Sequence, residues 1–222
     1  MSIKARTKHP QIQTRGIARY PHITQPNTKF AVKGTKTELG TYEANIVVTK
    51  EVADQLKTNL RPLYEEELRK VQEEHPNKKI TQTEFPIEEI DGGYLLKIKK
   101  PGGWRNEQGV MVAYAPIAIF DSKAEAIPQE QYNDLKLWSG SDIIVTHRPN
   151  FWYVPSRGFG VSFQLLAVQI VKLGETGVTA KAAEHFGLTP LEEGFVNGGE
   201  NLEGGFDAEE TEEETEENFG QF

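Results

Sequence analysis

A chain of 222 residues with 37% hydrophobic content is long enough to fill one sizeable core, and without a single cysteine it excludes disulfide frameworks, thiolate zinc sites, iron–sulfur clusters and cysteine nucleophiles. The net charge of −8 conceals a division: residues 1–183 hold all 25 Lys and Arg against 20 Asp and Glu, whereas residues 184–222 hold 13 acids and no Lys or Arg. No basic start followed by an apolar run marks a secretory signal, and no stretch approaches the roughly 20 apolar residues of a membrane span, so a cytoplasmic protein with no membrane partner is expected.

Residues 1–36 carry eight Lys or Arg and no acid. They read as a basic segment, extended in part, with residues 1–14 as an arm and a strand over 17–23. In 39–49, Tyr42, Ala44, Ile46 and Val48 fall on one face and Glu43, Asn45, Val47 and Thr49 on the other, which predicts a half-buried strand. Thr49 then caps a long helical pattern in which Val52, Leu56, Leu60, Leu63, Leu68 and Val71 recur, and Pro62 is expected to kink it or divide it. Glu65, Glu66 and Glu67 precede Arg69 and Lys70 by about one turn, the pattern of a solvated, ion-paired face rather than of metal ligands.

Beyond Pro76 the pattern is sheet. Residues 93–100 place Tyr94, Leu96 and Ile98 opposite Lys97 and Lys99, and 109–120 alternate with β-branched and aromatic residues. Between them Pro101, Gly102, Gly103 and Trp104 read as a turn-rich connector. Residues 141–154 predict a strand interrupted at Pro149, and 158–173 a nearly continuous apolar strand, the most buried of all. About five strands and one long inserted helix, with no alternation of strand and helix, predict a mainly β small barrel rather than a parallel α/β sheet. Residues 174–206 are a Gly-rich linker with at most one short helix.

Catalysis has no visible carrier. The histidines His9, His22, His75, His147 and His185 lack metal-site spacing and read as surface or loop residues, and there is no phosphate loop, nucleophile elbow or two-metal pattern. Gly158-Phe-Gly is only a fragment of a dinucleotide fingerprint, and Glu84, Glu88, Glu89 and Asp91 form the one dense acidic group of the body. The expectation is a non-enzyme without cofactor or metal. What stands out instead is aromatic rings among bases and glycines where strands meet loops: Trp104 and Arg105 after the Gly pair; Arg148, Phe151, Trp152, Tyr153 and Arg157 about the Pro149 and Pro155 turns; Lys97 and Lys99 on the outer side of their strand. Rings stack on unpaired bases irrespective of sequence, and Lys and Arg neutralise phosphates, so these nine residues are the candidate DNA-binding set.

Residues 207–222 contain eight carboxylates, no base, and a final Phe-Gly-Gln-Phe. So acidic a segment buries too little apolar surface to offset its ordering entropy, so disorder is expected. An anionic arm tethered to a basic body either competes for that body's anionic ligand or serves as a handle for another protein.

Four segments carry a resemblance, in order: Leu39-Gly-Thr-Tyr-Glu-Ala-Asn-Ile-Val-Val leading into the helix through Glu74; Leu137-Trp-Ser-Gly-Ser-Asp-Ile-Ile-Val before Phe151-Trp-Tyr; Gly160-Val-Ser-Phe-Gln-Leu-Leu-Ala-Val-Gln-Ile-Val-Lys-Leu; and the acidic terminus. Together they resemble the single-stranded-DNA-binding proteins of tailed bacteriophages. The resemblance implies an oligonucleotide-binding (OB-fold) barrel over 15–173, sequence-tolerant binding of single-stranded DNA, a tendency to form a homodimer, and a tail that contacts replicative DNA polymerase and helicase or primase. It places partner binding on Glu209, Glu210, Glu212, Glu213, Glu214, Glu216, Glu217, Phe219 and Phe222. Gln221 departs from the pattern, since an acidic residue is commoner between Gly220 and the last ring, and the linker has no counterpart.

The sequence therefore points to a non-catalytic protein that coats unpaired DNA in phage replication or recombination, in the host bacterial cytoplasm if phage-encoded. A protein-interaction or chaperone module using the tail to bind basic partners is the alternative. Quenching of Trp fluorescence by poly(dT) is expected only from the first.

Overall fold

The structure, a computed structural model, describes residues 9–35 and 37–174. Expectations for residues 1–8, for nearly all of the linker and for the acidic tail lie outside the described residues.

Alternation in the second strand segment is realised as β3 (Thr41–Glu43) and β4 (Ile46–Val48), with Tyr42, Ala44, Ile46 and Val48 all buried. These run antiparallel to β6 (Gly93–Leu96) and β7 (Ile98–Pro101) in one unbroken register, Tyr42 opposite Lys100 and Ile46 opposite Leu96. The Ala44 N–H donates to the Ile98 carbonyl at 2.9 Å across the gap, so each pair of short strands behaves as one long one. On its free flank β4 meets β1 (Ile12–Ala18), and β1 meets β11 (Asp142–Val154). β11 pairs with β12 (Gly158–Lys172), which returns to β7 in parallel at Phe163 and Ile98. Pairing thus comes back to its start, and five long segments make a barrel of the OB type, mainly β, with one α-helix among the described residues.

Two expected strands divide. The strand placed at 17–23 is two, β1 and β2 (His22–Asn27), parted at Tyr20, whose φ of 47° lies in the left-handed region. The 109–120 strand breaks before Pro116 into β9 (Met111–Ala113) and β10 (Ala118–Phe120). The connector at 101–104 is no turn: β8 (Gly103–Arg105) pairs with β9 as a hairpin. Its glycines serve close approach, since a Cβ on Gly102 would lie 2.1 Å from the Leu39 carbonyl oxygen. β5 (Ile87–Ile90) flanks β6 at the sheet's far edge.

Pro149 does not interrupt β11, which runs 13 residues through it. Beyond His147 the strand has left β1 behind and keeps β12 as its neighbour, so the missing N–H falls where one flank no longer needs a donor. Because the strand is continuous, its odd-numbered residues share one side from Ile143 to Pro149. His147 is on that side. It is fully buried rather than a surface residue, its Nε2 2.9 Å from the Thr14 Oγ1 and its ring 4.9 Å from that of Phe163, and burial pushes its pKa down to about 4.

Helix α1 (Lys50–Glu74) begins at Thr49, whose side chain accepts from the Val52 N–H. It is one helix of 25 residues, not divided at Pro62. Pro62 is exposed, so the carbonyl it leaves unpaired faces water, while Ala53, Leu56, Leu60, Tyr64 and Leu68 are buried at three- and four-residue spacing. That stripe contributes on the order of 10 kcal/mol of gross burial, several times the cost of one proline. The first half of the stripe joins the barrel core; Tyr64 and Leu68 pack with Phe159 and Val161 in a second cluster. No described helix is long and apolar enough to cross a membrane.

Candidate nucleic-acid interface

The second and third segments of an OB barrel, with the loops joining segments one to two and four to five, form the usual ligand face. Here those loops are residues 19–40 and 155–157. A groove of about 770 Å³ lies over this face. Its floor is Thr41, Glu43, Lys97 and Lys99, the outward residues of β3 and β7 and the link before it. Asn27 and Phe30 of the long loop form one wall, Tyr114 and Pro101 another, and Asn150, Ser162 and Gln164 of β11 and β12 the third.

Each cation is held by an acid or a carbonyl. Lys97 is ion-paired with Glu88, and Lys99 with Glu43 at 3.1 Å. The Lys100 ammonium donates to the Ala115 carbonyl at 3.0 Å and lies 5.4 Å from the centre of the Tyr114 ring, and burial pushes its pKa down. Exposed pairs contribute at most about 1 kcal/mol, so a phosphate can exchange with Glu43 or Glu88 at little cost while the lysines stay oriented.

Trp104 and Arg105 stand on the β8–β9 hairpin, tied to the groove because the Tyr114 N–H donates to the Gly102 carbonyl and Arg105 pairs with Glu38 at 2.9 Å. Trp104 is 45% exposed, Tyr114 41% and Phe30 73%, rings open to stacking. Arg148 lies opposite Gln164 on the outer side of β11, and its buried Nε has no hydrogen-bond partner among the described residues. Trp152, on the same side, lies across Gly160: a Cβ there would sit 2.5 Å from the indole. Arg157 is exposed at the β11–β12 turn.

Phe151 and Tyr153 take the other side. Phe151 packs against the Tyr64 cluster, its ring 4.9 Å from His9 and 6.1 Å from Tyr64, and Tyr153 tilts against His75 at 5.0 Å. Both rings are half-buried packing residues beneath α1, away from the groove. Sequence reasoning in turn overlooked Phe30, Lys100, Tyr114, Asn150 and Gln164. Phe30 between Lys29 and Lys33 shows the same ring-among-bases pattern that singled out Trp104. The acidic residues Glu209 to Glu217, with Phe219 and Phe222, lie outside the described residues. Among those described, no group of His, Asp or Glu is placed to hold a metal ion.

No protein-family model and no curated protein matches the sequence. Among solved structures, gp2.5, a single-stranded DNA binding protein encoded by bacteriophage T7, superimposes with a TM-score of 0.63 at 17% identity, over 85% of this chain and 98% of that one. The single-stranded DNA-binding protein of bacteriophage Enc34 in complex with single-stranded DNA gives a TM-score of 0.47 at 11% identity, over 78% of this chain and 98% of that one. A C-terminal truncation of the Enc34 protein gives 0.47 at 12%, over 75% and 87%. The fold of the T7 protein is therefore the fold of this chain.

Proposed function

We propose that the chain is a phage single-stranded-DNA-binding protein: the barrel grips unpaired DNA without catalysis, coating and protecting it during replication or recombination. The observation that carries this reading is the groove itself, where Lys97, Lys99 and Lys100 stand beside Phe30 and Tyr114 on the ligand face of an OB barrel. Phosphates replace Glu43 and Glu88 at the lysines, and bases stack on Phe30, Tyr114 and Trp104, with Arg105, Arg148, Trp152 and Arg157 extending the track at its two ends. The likeness to the T7 structure over nearly all of that chain supports the same reading.

Residues 207–222 act as a competing polyanion. Without DNA they occupy the groove; with DNA they are displaced, and Phe219 and Phe222 become available to a polymerase or a helicase or primase. A homodimer exchanging tails would follow the same electrostatics. If four phosphates are neutralised, affinity for poly(dT) falls with salt at a log–log slope of roughly −3. Removing residues 207–222 tightens binding most at low salt. A fluorescence titration of full-length and shortened chains against salt tests both statements; identical affinities throughout would overturn the competition.

A further inference from the structure

We propose that Glu38 is a positioning residue of the groove: its carboxylate fastens the loop that carries Phe30 to the β8–β9 hairpin that carries Trp104 and Arg105. The role rests on the proposed function and adds to it an acid that aids binding instead of competing with phosphate. Residues 28–38 are tied mainly to themselves and their neighbours in sequence. The Ala31 N–H donates to the Thr28 carbonyl at 2.9 Å, the Thr35 N–H to the Val32 carbonyl and the Glu38 N–H to the Thr35 carbonyl at 3.2 Å each, and the Lys29 N–H to the Asn27 Oδ1 at 3.0 Å. Among the described residues, one hydrogen bond joins 28–38 to a distant part of the chain, and Glu38 makes it. Its Oε2 accepts both from the Gly34 N–H at 2.7 Å and from the Arg105 Nη2 at 2.9 Å, so one carboxylate closes the loop on itself and locks it to the hairpin. The Arg105 Nη1 donates to the Gly109 carbonyl, which holds the guanidinium in place from the other side and leaves further N–H donors for a phosphate.

Glu38 stands behind the groove wall. Its side chain is 28% exposed, and the loop residues that line the groove are Phe30 and Thr37. Phe30 is so exposed that packing does not hold its ring, and Lys29, 5.6 Å from the ring centre, belongs to the same loop. The place of the ring is therefore set by the loop backbone, and a loop left unfastened must be ordered at the expense of binding. Charge alone predicts the opposite effect for this residue. A carboxylate near the site of a polyanion repels it, so its removal tightens binding, whereas removal of a carboxylate that fastens a wall loosens it. Glu43 supplies the contrast within the same groove: it lies on the floor, paired with Lys99 at 3.1 Å where a phosphate would stand.

The test is the affinity of the full-length protein for oligo(dT) of about 15 nucleotides, within the site size of one OB barrel, at one salt concentration. Glu38→Ala, Glu38→Gln and Glu43→Gln are compared with the unaltered chain, and Glu38→Ala is repeated in a Phe30→Ala background. Glu38→Ala is expected to lose about fivefold although it removes a negative charge, and Glu38→Gln, whose amide oxygen still accepts from both N–H groups, to stay within about twofold of the unaltered chain. Glu43→Gln, which frees Lys99, is expected to bind about threefold tighter. In the Phe30→Ala background Glu38→Ala adds no further loss, because the ring it positions is already gone. Unchanged or tighter binding by Glu38→Ala overturns the inference and leaves the groove standing, as does an undiminished loss in the Phe30→Ala background. Failure of the unaltered protein to bind the oligonucleotide overturns the proposed function, and the role of Glu38 with it.

Discussion

Replacing Trp104 and Tyr114 together by Ala lowers affinity for oligo(dT) by about a thousandfold, because each base loses a stacking surface that contributes on the order of 2 kcal/mol. The salt slope stays where it was, since no phosphate contact is removed. Lys97→Met with Lys99→Met behaves in the opposite way: the loss is about 25-fold at 0.1 M salt, and the slope becomes shallower by about 1.4, the share of two phosphates on a single strand. Glu88 and Glu43, no longer paired, add repulsion to the second variant. Phe151→Ala gives a third signature, a folding defect of about 3 kcal/mol with an unchanged slope, because its ring fills the cluster under α1. Titrations at several salt concentrations, read beside urea unfolding, separate the three. An equal slope for the lysine and aromatic variants would contradict the assignment of roles.

The second large effect is on stability against pH. His147 is buried against Thr14 and Phe163, and its pKa is lowered to about 4, so the folded state binds its proton less well than the unfolded state, where the value is near 6.5. Its neutral form therefore contributes stability that is fully present above about pH 6.5 and is lost as pH falls toward 4, about 3 kcal/mol in total. Carboxylates held low by cations, such as Asp142 beside Arg15, also lose their contribution in acid. The difference between the unaltered chain and His147→Gln isolates the histidine. Urea unfolding at steps between pH 7 and pH 4.5 should show a shallower decline for the variant. Parallel declines would show that the imidazole is not kept neutral by the fold.

The local signals were the legible ones. Alternation through 42–48, the Thr49 cap and the helix through Glu74 depend on neighbours a few residues away, and the structure has each of them. Barrel closure decided the rest. Taking Pro149 as a break cut β11 in two, and with the break went the parity that places Phe151 and Tyr153 on the His147 side and Trp152 opposite; only the departure of β1 at His147 makes the proline tolerable. Gly102 and Gly103 look like a turn in one dimension because what crowds Gly102, the Leu39 backbone, is more than sixty residues earlier, and what crowds Gly103 is the Val112 backbone across the hairpin with the Leu39 side chain. Lys97 and Lys99 were visible from their outward parity, yet Phe30, Tyr114 and Gln164 come from three distant stretches that meet at the groove only once β12 has returned to β7.

The most direct measurement is the affinity of the full-length protein for oligo(dT) against a duplex of the same length at one salt concentration, followed by the fluorescence of Trp104, Trp138 and Trp152. Rings that stack on exposed bases give a preference for the single strand of about a hundredfold or more, with quenching by oligo(dT) alone. Equal affinity for the duplex, or no quenching by the single strand, would contradict a groove that grips unpaired bases.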